Sequence, residues 1–239
     1  MPFGMFFDPT MIWVLPAMLF AMWAQSRVSS AYGRYSQVQT RHAITGAQLA
    51  RRLMYDNGIR DVEVELIEGN LTDNYDPTKR VLNLSAGVHD GTSIAALGIA
   101  AHEVGHAVQH ATAYAPMSLR GFMYPVSALG SNLGWILFIV GLGIGFFTHS
   151  AVGILVAKLG VLFFGAAVAF TLVTLPVEFN ASKRALHALS QGGYLDEEEM
   201  PGARAVLNAA ALTYVAAAAM AISQLLRMLF ILGGMRDND

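Results

Sequence analysis

Long apolar runs and mixed, patterned stretches alternate along this chain. Four runs are apolar enough to cross a bilayer, from about Pro9 to Ala24, Pro125 to Phe147, Val152 to Leu175 and Val206 to Leu232; a span takes about 20 such residues. The first opens on Asp8-Pro9, which reads as helix N-cap and first helical position, and Pro16 is expected to kink it. No Lys or Arg precedes this run and no clean small-x-small site follows it, so an uncleaved anchor is expected rather than a signal peptide. Only Thr148, His149, Ser150 and Ala151 separate the second and third runs, which predicts a tight transmembrane hairpin.

Between the first and second runs the period changes. A helical pattern extends from about Ser29 to Asp56, with Asn57-Gly58 as its stop. Val62, Val64 and Leu66 alternate with Glu63 and Glu65, which predicts a strand with one buried face. Asp76-Pro77-Thr78-Lys79 reads as a turn between short strands near Leu71–Tyr75 and Arg80–Leu84. A second helix is expected from about Ile94 to Ala113, halted before Pro116. The acidic segment Asp196–Glu199 reads as a solvated turn. The fold class implied is α+β, with four transmembrane helices.

Composition agrees: 54% of the 239 residues are hydrophobic and 13% charged, about half the charge of a soluble domain, with a mean hydropathy of +0.46. The net charge of −2 supplies no basic stripe for nucleic acid. Positive charges set the orientation. Arg27, Arg34, Arg41, Arg51, Arg52, Arg60, Lys79, Arg80, Arg120, Lys183, Arg184 and Arg204 fall in the loops that share one side when the N-terminus is outside, against Arg236 alone on the other. The positive-inside rule therefore assigns 25–124 and 176–205 to the cytoplasm. The organisation expected is an anchor (1–24), a cytoplasmic domain (25–124), a transmembrane hairpin (125–175), a cytoplasmic helix (176–205) and a last span with a short tail (206–239). Lys158 and Arg227 lie inside spans, near enough to the outer ends to snorkel.

The chain has no cysteine, so any metal must be held by His, Asp, Glu or backbone. The second helix contains His102-Glu103-Val104-Gly105-His106. Residues four apart share a helix face, so both imidazoles can reach one zinc ion. Glu103, rotated by one residue, can take a proton from a water polarised by that ion. The alternative is a polar stretch of a surface helix. Against it, Ile94–Ala101 reads Ile-Ala-Ala-Leu-Gly-Ile-Ala-Ala, a run that implies burial, and two buried His and a Glu need partners.

A catalytic zinc site takes a third protein ligand. A metzincin would place Gly and His where Gln109 and Thr112 stand, which excludes that class. His110 lies a full turn beyond His106. From Ala107 to Val177 there is no acidic residue, and the first is Glu178, just past Pro176. Ala181 and Ser182, three and four residues on, are small enough to let Glu178 approach the metal helix. The competing reading is an interfacial Glu at a helix start. With Glu178 as ligand, the hairpin is an insertion between the second and third ligands, and the zinc lies at or just below the inner membrane surface.

Leu71-Thr72-Asp73-Asn74-Tyr75-Asp76-Pro77, Ser93-Ile94-Ala95-Ala96, Ala101 through Gln109, and Leu175-Pro176-Val177-Glu178-Phe179-Asn180-Ala181-Ser182 together resemble the YugP-like neutral zinc metallopeptidases of bacteria. Asp8-Pro9-Thr10 and Trp23-Ala24-Gln25 fit as well. More distantly, the layout is similar to the HtpX-like and CAAX-prenyl-protease families. The resemblance implies a zincin-like gluzincin with zinc on His102, His106 and Glu178 and with Glu103 as base. The resemblance names the reaction, cleavage of protein or peptide substrates, better than the target. A zinc at the cytoplasmic surface of a bacterial inner membrane would select substrates near the bilayer or membrane proteins themselves. One departure stands out. HtpX-like proteins carry an Asp where this chain has Ser182, so a carboxylate steadying a ligand must come from elsewhere, with Asp90 a candidate.

Other positions carry weaker expectations. Arg80–Leu84 is the candidate strand for pairing with a peptide, and an ordinary internal strand is the alternative. Tyr194, Tyr214 and Arg184 are candidates for stabilising an oxyanion, while His187 reads as a surface histidine. A non-catalytic zinc-binding scaffold is the rival from another functional class. A site-2-type protease is rejected because Asp90-Gly91 precedes the motif, and a zinc transporter because the hairpin offers no ligands.

Overall fold

The computed structural model describes residues 9–236; the Asp8 cap and the end of the tail fall outside them. The elements run α1 (Leu15–Tyr35), α2 (Gly46–Asp56), β1 (Glu63–Ile67), β2 (Asn74–Asp76), β3 (Val81–Ser85), α3 (Ala86–His89), α4 (Ile94–Ala111), α5 (Ala115–Thr148), α6 (Ala151–Gln191) and α7 (Met200–Arg236), after a 3-10 turn at Pro9–Trp13. They form two compact units, one of residues 24–118 and 175–213, the other of the remaining segments.

Proline placement explains several helix starts. Pro16, Pro116 and Pro201 are each the second residue of a helix, where the missing N–H has no helical partner to lose. Pro16 thus opens α1 and does not kink a span. Pro125 and Pro176, read as boundaries, lie inside α5 and α6. Among the described residues, α5, α6 and α7 are long and apolar enough to cross a membrane; the first predicted run begins as the 3-10 turn and continues as α1.

In the unit holding α5 and the first part of α6, many large apolar residues are exposed and small residues form the close contacts between the two helices. Leu129, Ile136, Phe147 and Leu162 are exposed, whereas Gly130, Gly134, Gly141 and Gly145 are buried. A Cβ on Gly141 would meet the Ala157 backbone nitrogen at 2.3 Å, and one on Gly153 the Gly145 nitrogen at 2.2 Å. That is the small-residue packing of helices in lipid. His149 and Ser150 alone separate the two helices, as the tight hairpin requires, with His149 at φ 47° and Ser150 Oγ accepting the Val152 N–H at 3.2 Å. In the same unit Arg227 Nε donates to Thr10 Oγ1 at 2.9 Å, so Arg227 is engaged by protein rather than only snorkelling.

The other unit is α+β. Its sheet has the order β1-β3-β2, with β1 parallel and β2 antiparallel to the central β3. Leu82 and Leu84 of β3 are fully buried and join Leu49, Leu53, Val88, Leu97 and Leu189 in one core. Because β3 is flanked on both sides, the expectation that Arg80–Leu84 pairs with a peptide fails: its backbone groups are already in the ladder. β1 is an edge strand, and Leu66 is 54% exposed, so its predicted buried face is incomplete.

The helix expected over 29–56 is two helices. Thr45 caps α2 by accepting the Gln48 N–H, while the Gln48 side chain accepts the Thr45 N–H, a capping box that Thr-Gly-Ala-Gln signals in sequence. The intervening strap bonds to the segment before α4 through Thr40 N–H to Thr92 O at 2.9 Å and Ile94 N–H to Val38 O at 2.9 Å. The acidic turn is not merely solvated. Glu199 is buried and accepts the N–H groups of Arg41 and Asp196, both at 2.9 Å, while the Arg41 guanidinium bonds Asp196 at 2.8 Å.

Candidate metal centre

Ser93 starts α4 by accepting the Ala96 N–H at 3.2 Å, and the apolar run that follows carries His102, Glu103 and His106 into the core. All three are buried, as is Glu178 on α6. α4 and α6 can approach because Gly105 faces Ala181: a Cβ on Gly105 would lie 2.8 Å from the Ala181 carbonyl oxygen. Small residues at this crossing are what the sequence led one to expect.

The approach brings two imidazoles onto one carboxylate. His102 Nε2 lies 3.3 Å and His106 Nε2 3.5 Å from the same oxygen, Glu178 Oε2, with the two rings edge to face at 4.8 Å between centroids. The other nitrogen of each ring is engaged. His102 Nδ1 is 3.1 Å from Ser182 Oγ, and His106 Nδ1 is 3.0 Å from Gln109 Oε1. Gln109 Oε1 can only accept, so the neutral His106 ring carries its hydrogen on Nδ1 and turns the Nε2 lone pair toward Glu178, whereas the Ser182 hydroxyl can serve His102 as donor or acceptor. One donor atom from each of the three residues falls within 4.8 Å of the others. Two imidazole nitrogens and a carboxylate converging in a buried space suit a shared positive charge, a proton or a metal ion, and two His with a Glu suit zinc. His102, His106 and Glu178 therefore fit a zinc ion.

The electrostatics point the same way. Burial works against charging His106, yet the Glu178 hydrogen bond and the charges of Glu103 and Glu178 raise its pKa above the ordinary histidine value: the field here favours positive charge. Glu103 is 8% exposed, and burial pushes its carboxyl pKa up, opposed by the neighbouring His102 and His106. It forms no hydrogen bond to another described residue, which leaves it available as a proton acceptor.

Several other sequence expectations are redirected. Asp90 pairs with its neighbour His89, Nδ1 to Oδ1 at 2.6 Å, and its side chain is 70% exposed; the short α3 ends there, so Asp90 steadies no ligand. Ser182 and Gln109 support the histidines in its place. Arg184, His187 and Tyr194 line a cavity of about 340 Å³ whose α4 wall includes Ala101, Val104 and Val108. At 100° per residue that wall points away from the ligand-bearing face, so none of the three is placed as an oxyanion donor. Tyr214 belongs to the other unit. His110, one turn past His106, shares a hydrogen bond with the Tyr75 hydroxyl, 2.8 Å from its Nδ1, which ties the edge strand β2 to α4. Gln109 entered the sequence reading only as a residue that excludes metzincins and as part of the resemblance; its spacing of three from His106 was the available signal.

Two histidines of one helix and a glutamate of the next thus form a group that could hold a metal ion. The chain belongs to the family described as "Putative neutral zinc metallopeptidase", which it matches over residues 10–233. It is 44% identical over 225 residues to "Putative membrane protease YugP" of Bacillus subtilis (strain 168), covering 94% of this chain and 97% of that protein. No solved structure matches it.

Proposed function

We propose that the chain is a multi-pass endopeptidase of the bacterial inner membrane, with zinc held by His102, His106 and Glu178 and with Glu103 as general base. The observation that carries this reading is the buried, unengaged Glu103 carboxyl one residue from a ligand pair that converges on Glu178. Bound zinc would supply a Lewis acid for the scissile carbonyl and for the attacking water. Glu103 accepts the proton of that water and delivers it to the leaving amine. Burial raises its pKa above the ordinary glutamate value, which favours holding the proton between its uptake from water and its delivery to the amine. Ser182 and Gln109 hold the imidazoles while this happens.

The catalytic unit is of zincin type and faces the cytoplasm, as the distribution of Arg and Lys favours. Glu178 follows the apolar stretch 152–175 by three residues within one helix, which supports action on proteins at the inner membrane surface. Of the two edge strands, β2 is the one tied to α4, through Tyr75 and His110, and it offers an unpaired side for an extended peptide.

The test is cleavage of an unfolded protein by purified material in detergent, with and without chelator, and with Glu103→Gln. Chelator-sensitive cleavage that falls by about 10²- to 10⁴-fold in Glu103→Gln, with zinc content unchanged, is the expected result. Turnover retained in Glu103→Gln removes Glu103 as the base. A zinc-loaded wild type that cleaves nothing favours the non-catalytic scaffold.

A further inference from the structure

Gln109 is fully buried on α4 and bonds to groups on two helices. Its Oε1 lies 3.0 Å from His106 Nδ1. Its Nε2 donates to the Val177 carbonyl at 2.8 Å and to Asn180 Oδ1 at 3.0 Å. Those acceptors bracket Glu178, one residue before it and two after. Asn180 Oδ1 also accepts from Arg184 Nε at 2.7 Å.

These contacts leave the amide one orientation. The Val177 carbonyl can only accept. Asn180 presents an oxygen, because a guanidinium nitrogen can only donate to it. Both Nε2 hydrogens of Gln109 are thus used on α6, and Oε1 is the atom left for His106. An acceptor opposite Nδ1 requires the hydrogen on Nδ1, which turns Nε2 toward Glu178. One side chain therefore sets how His106 presents itself and fastens the turn of α6 that carries Glu178.

We propose that Gln109 is a positioning residue of the metal centre, fixing His106 and the Glu178 turn together. This rests on the metal-binding half of the proposed function and not on peptide cleavage. Metal-ligating histidines often lean on a carboxylate, which raises their basicity. A carboxylate at 109 would face the Val177 carbonyl and Asn180 Oδ1 with no hydrogen to offer, in a space that already contains Glu103 and Glu178. Only an amide has an acceptor for His106 at one end and two donors for α6 at the other. The competing account is that Gln109 merely satisfies buried backbone where two helices cross.

The full chain in detergent separates the two accounts by three readouts: zinc affinity by chelator competition, the visible spectrum of the cobalt-substituted protein, and thermal stability without metal. Gln109→Met keeps the length and removes every hydrogen bond; zinc affinity should fall about 10- to 100-fold, with an altered cobalt spectrum. Gln109→Glu keeps the acceptor toward His106 but loses the α6 anchor, so its affinity should fall between the Met variant and wild type. Asn180→Ala frees one of two anchors and should cost only several-fold. Val108→Ala, a buried change on the other flank of α4, should lower stability without changing affinity. Wild-type affinity and cobalt spectrum in Gln109→Met, even with reduced metal-free stability, would overturn the proposal. If Gln109→Met does not fold, wild-type affinity in both Gln109→Glu and Asn180→Ala would do so. A wild type that binds no zinc overturns the metal reading itself, and this inference with it.

Discussion

Two helix crossings in this molecule are built alike and do different work. In the unit that holds the candidate metal centre, α4 approaches α6 where Gly105 faces the Ala181 carbonyl; in the other unit, α5 approaches α6 where Gly141 faces the Ala157 nitrogen. The buried polar residues of the two helix pairs differ. Ser127 and Thr174 return their hydroxyls to their own helices, to Tyr124 O and Phe170 O at 2.9 Å each. His102, His106 and Gln109 instead reach across to Ser182, Glu178 and Val177. Self-satisfied hydroxyls suit an environment where an unmet polar group is costly. Groups that must be met from the neighbouring helix make the other crossing specific in register, because a slip would strand them.

Removing the shared carboxylate should break that crossing most severely. Glu178→Ala should lower zinc affinity by more than the roughly 10- to 100-fold typical of a residue that only supports a ligand, with metal content after dialysis as the measure. Unchanged content would send the search for a third ligand elsewhere. Gly105→Ala and Gly141→Ala test whether close approach serves the same purpose in both units. Each should cost about 1–3 kcal/mol by overpacking, read as thermal stability in detergent. Only Gly105→Ala should also weaken zinc binding, because the ligand atoms ride on the helices it forces apart. Loss of zinc from both variants would erase the distinction drawn between the crossings.

A smaller effect is expected at Asp73, which accepts the Ser85 N–H at 2.7 Å. Burial raises its pKa above the ordinary aspartate value, more than the Ser85 hydrogen bonds lower it. A carboxyl whose folded pKa is raised holds its proton more tightly when folded. Its contribution to stability is therefore complete below the unfolded pKa of about 4 and lost as pH rises through the folded pKa. Asp73→Asn keeps the acceptor without the charge, so it should flatten the fall in stability just above pH 4. Melting temperatures across that range would show the slope, and a slope unchanged in the variant would mean that another group produces it.

The regions that followed most directly from sequence were those written in consecutive residues. The His-Glu-x-x-His spacing, the apolar hairpin and the Ser93 and Asn57-Gly58 boundaries are local patterns, and a helix repeats them on one face whatever surrounds it. The absence of acidic residues from Ala107 to Val177 even singled out Glu178, which the fold brings to His102 across 76 positions. Local signals were also overlooked, as the capping box at Thr45 shows.

Other features depended on where distant segments packed. Nothing in Val81–Ser85 says that β3 is central, because strand order depends on which neighbours arrive on each side. Glu199 looks like its exposed neighbours until Arg41, 158 residues away, supplies the backbone N–H it accepts. Gln109 takes its role from a carbonyl and an amide on another helix. Sequence by itself set the candidate ligands, the candidate base and the apolar helices, since residue type and period decide those. Tertiary structure alone decided which nitrogen each histidine turns inward and what holds it there, because hydrogen bonding across helices depends on approach and register that no single segment contains.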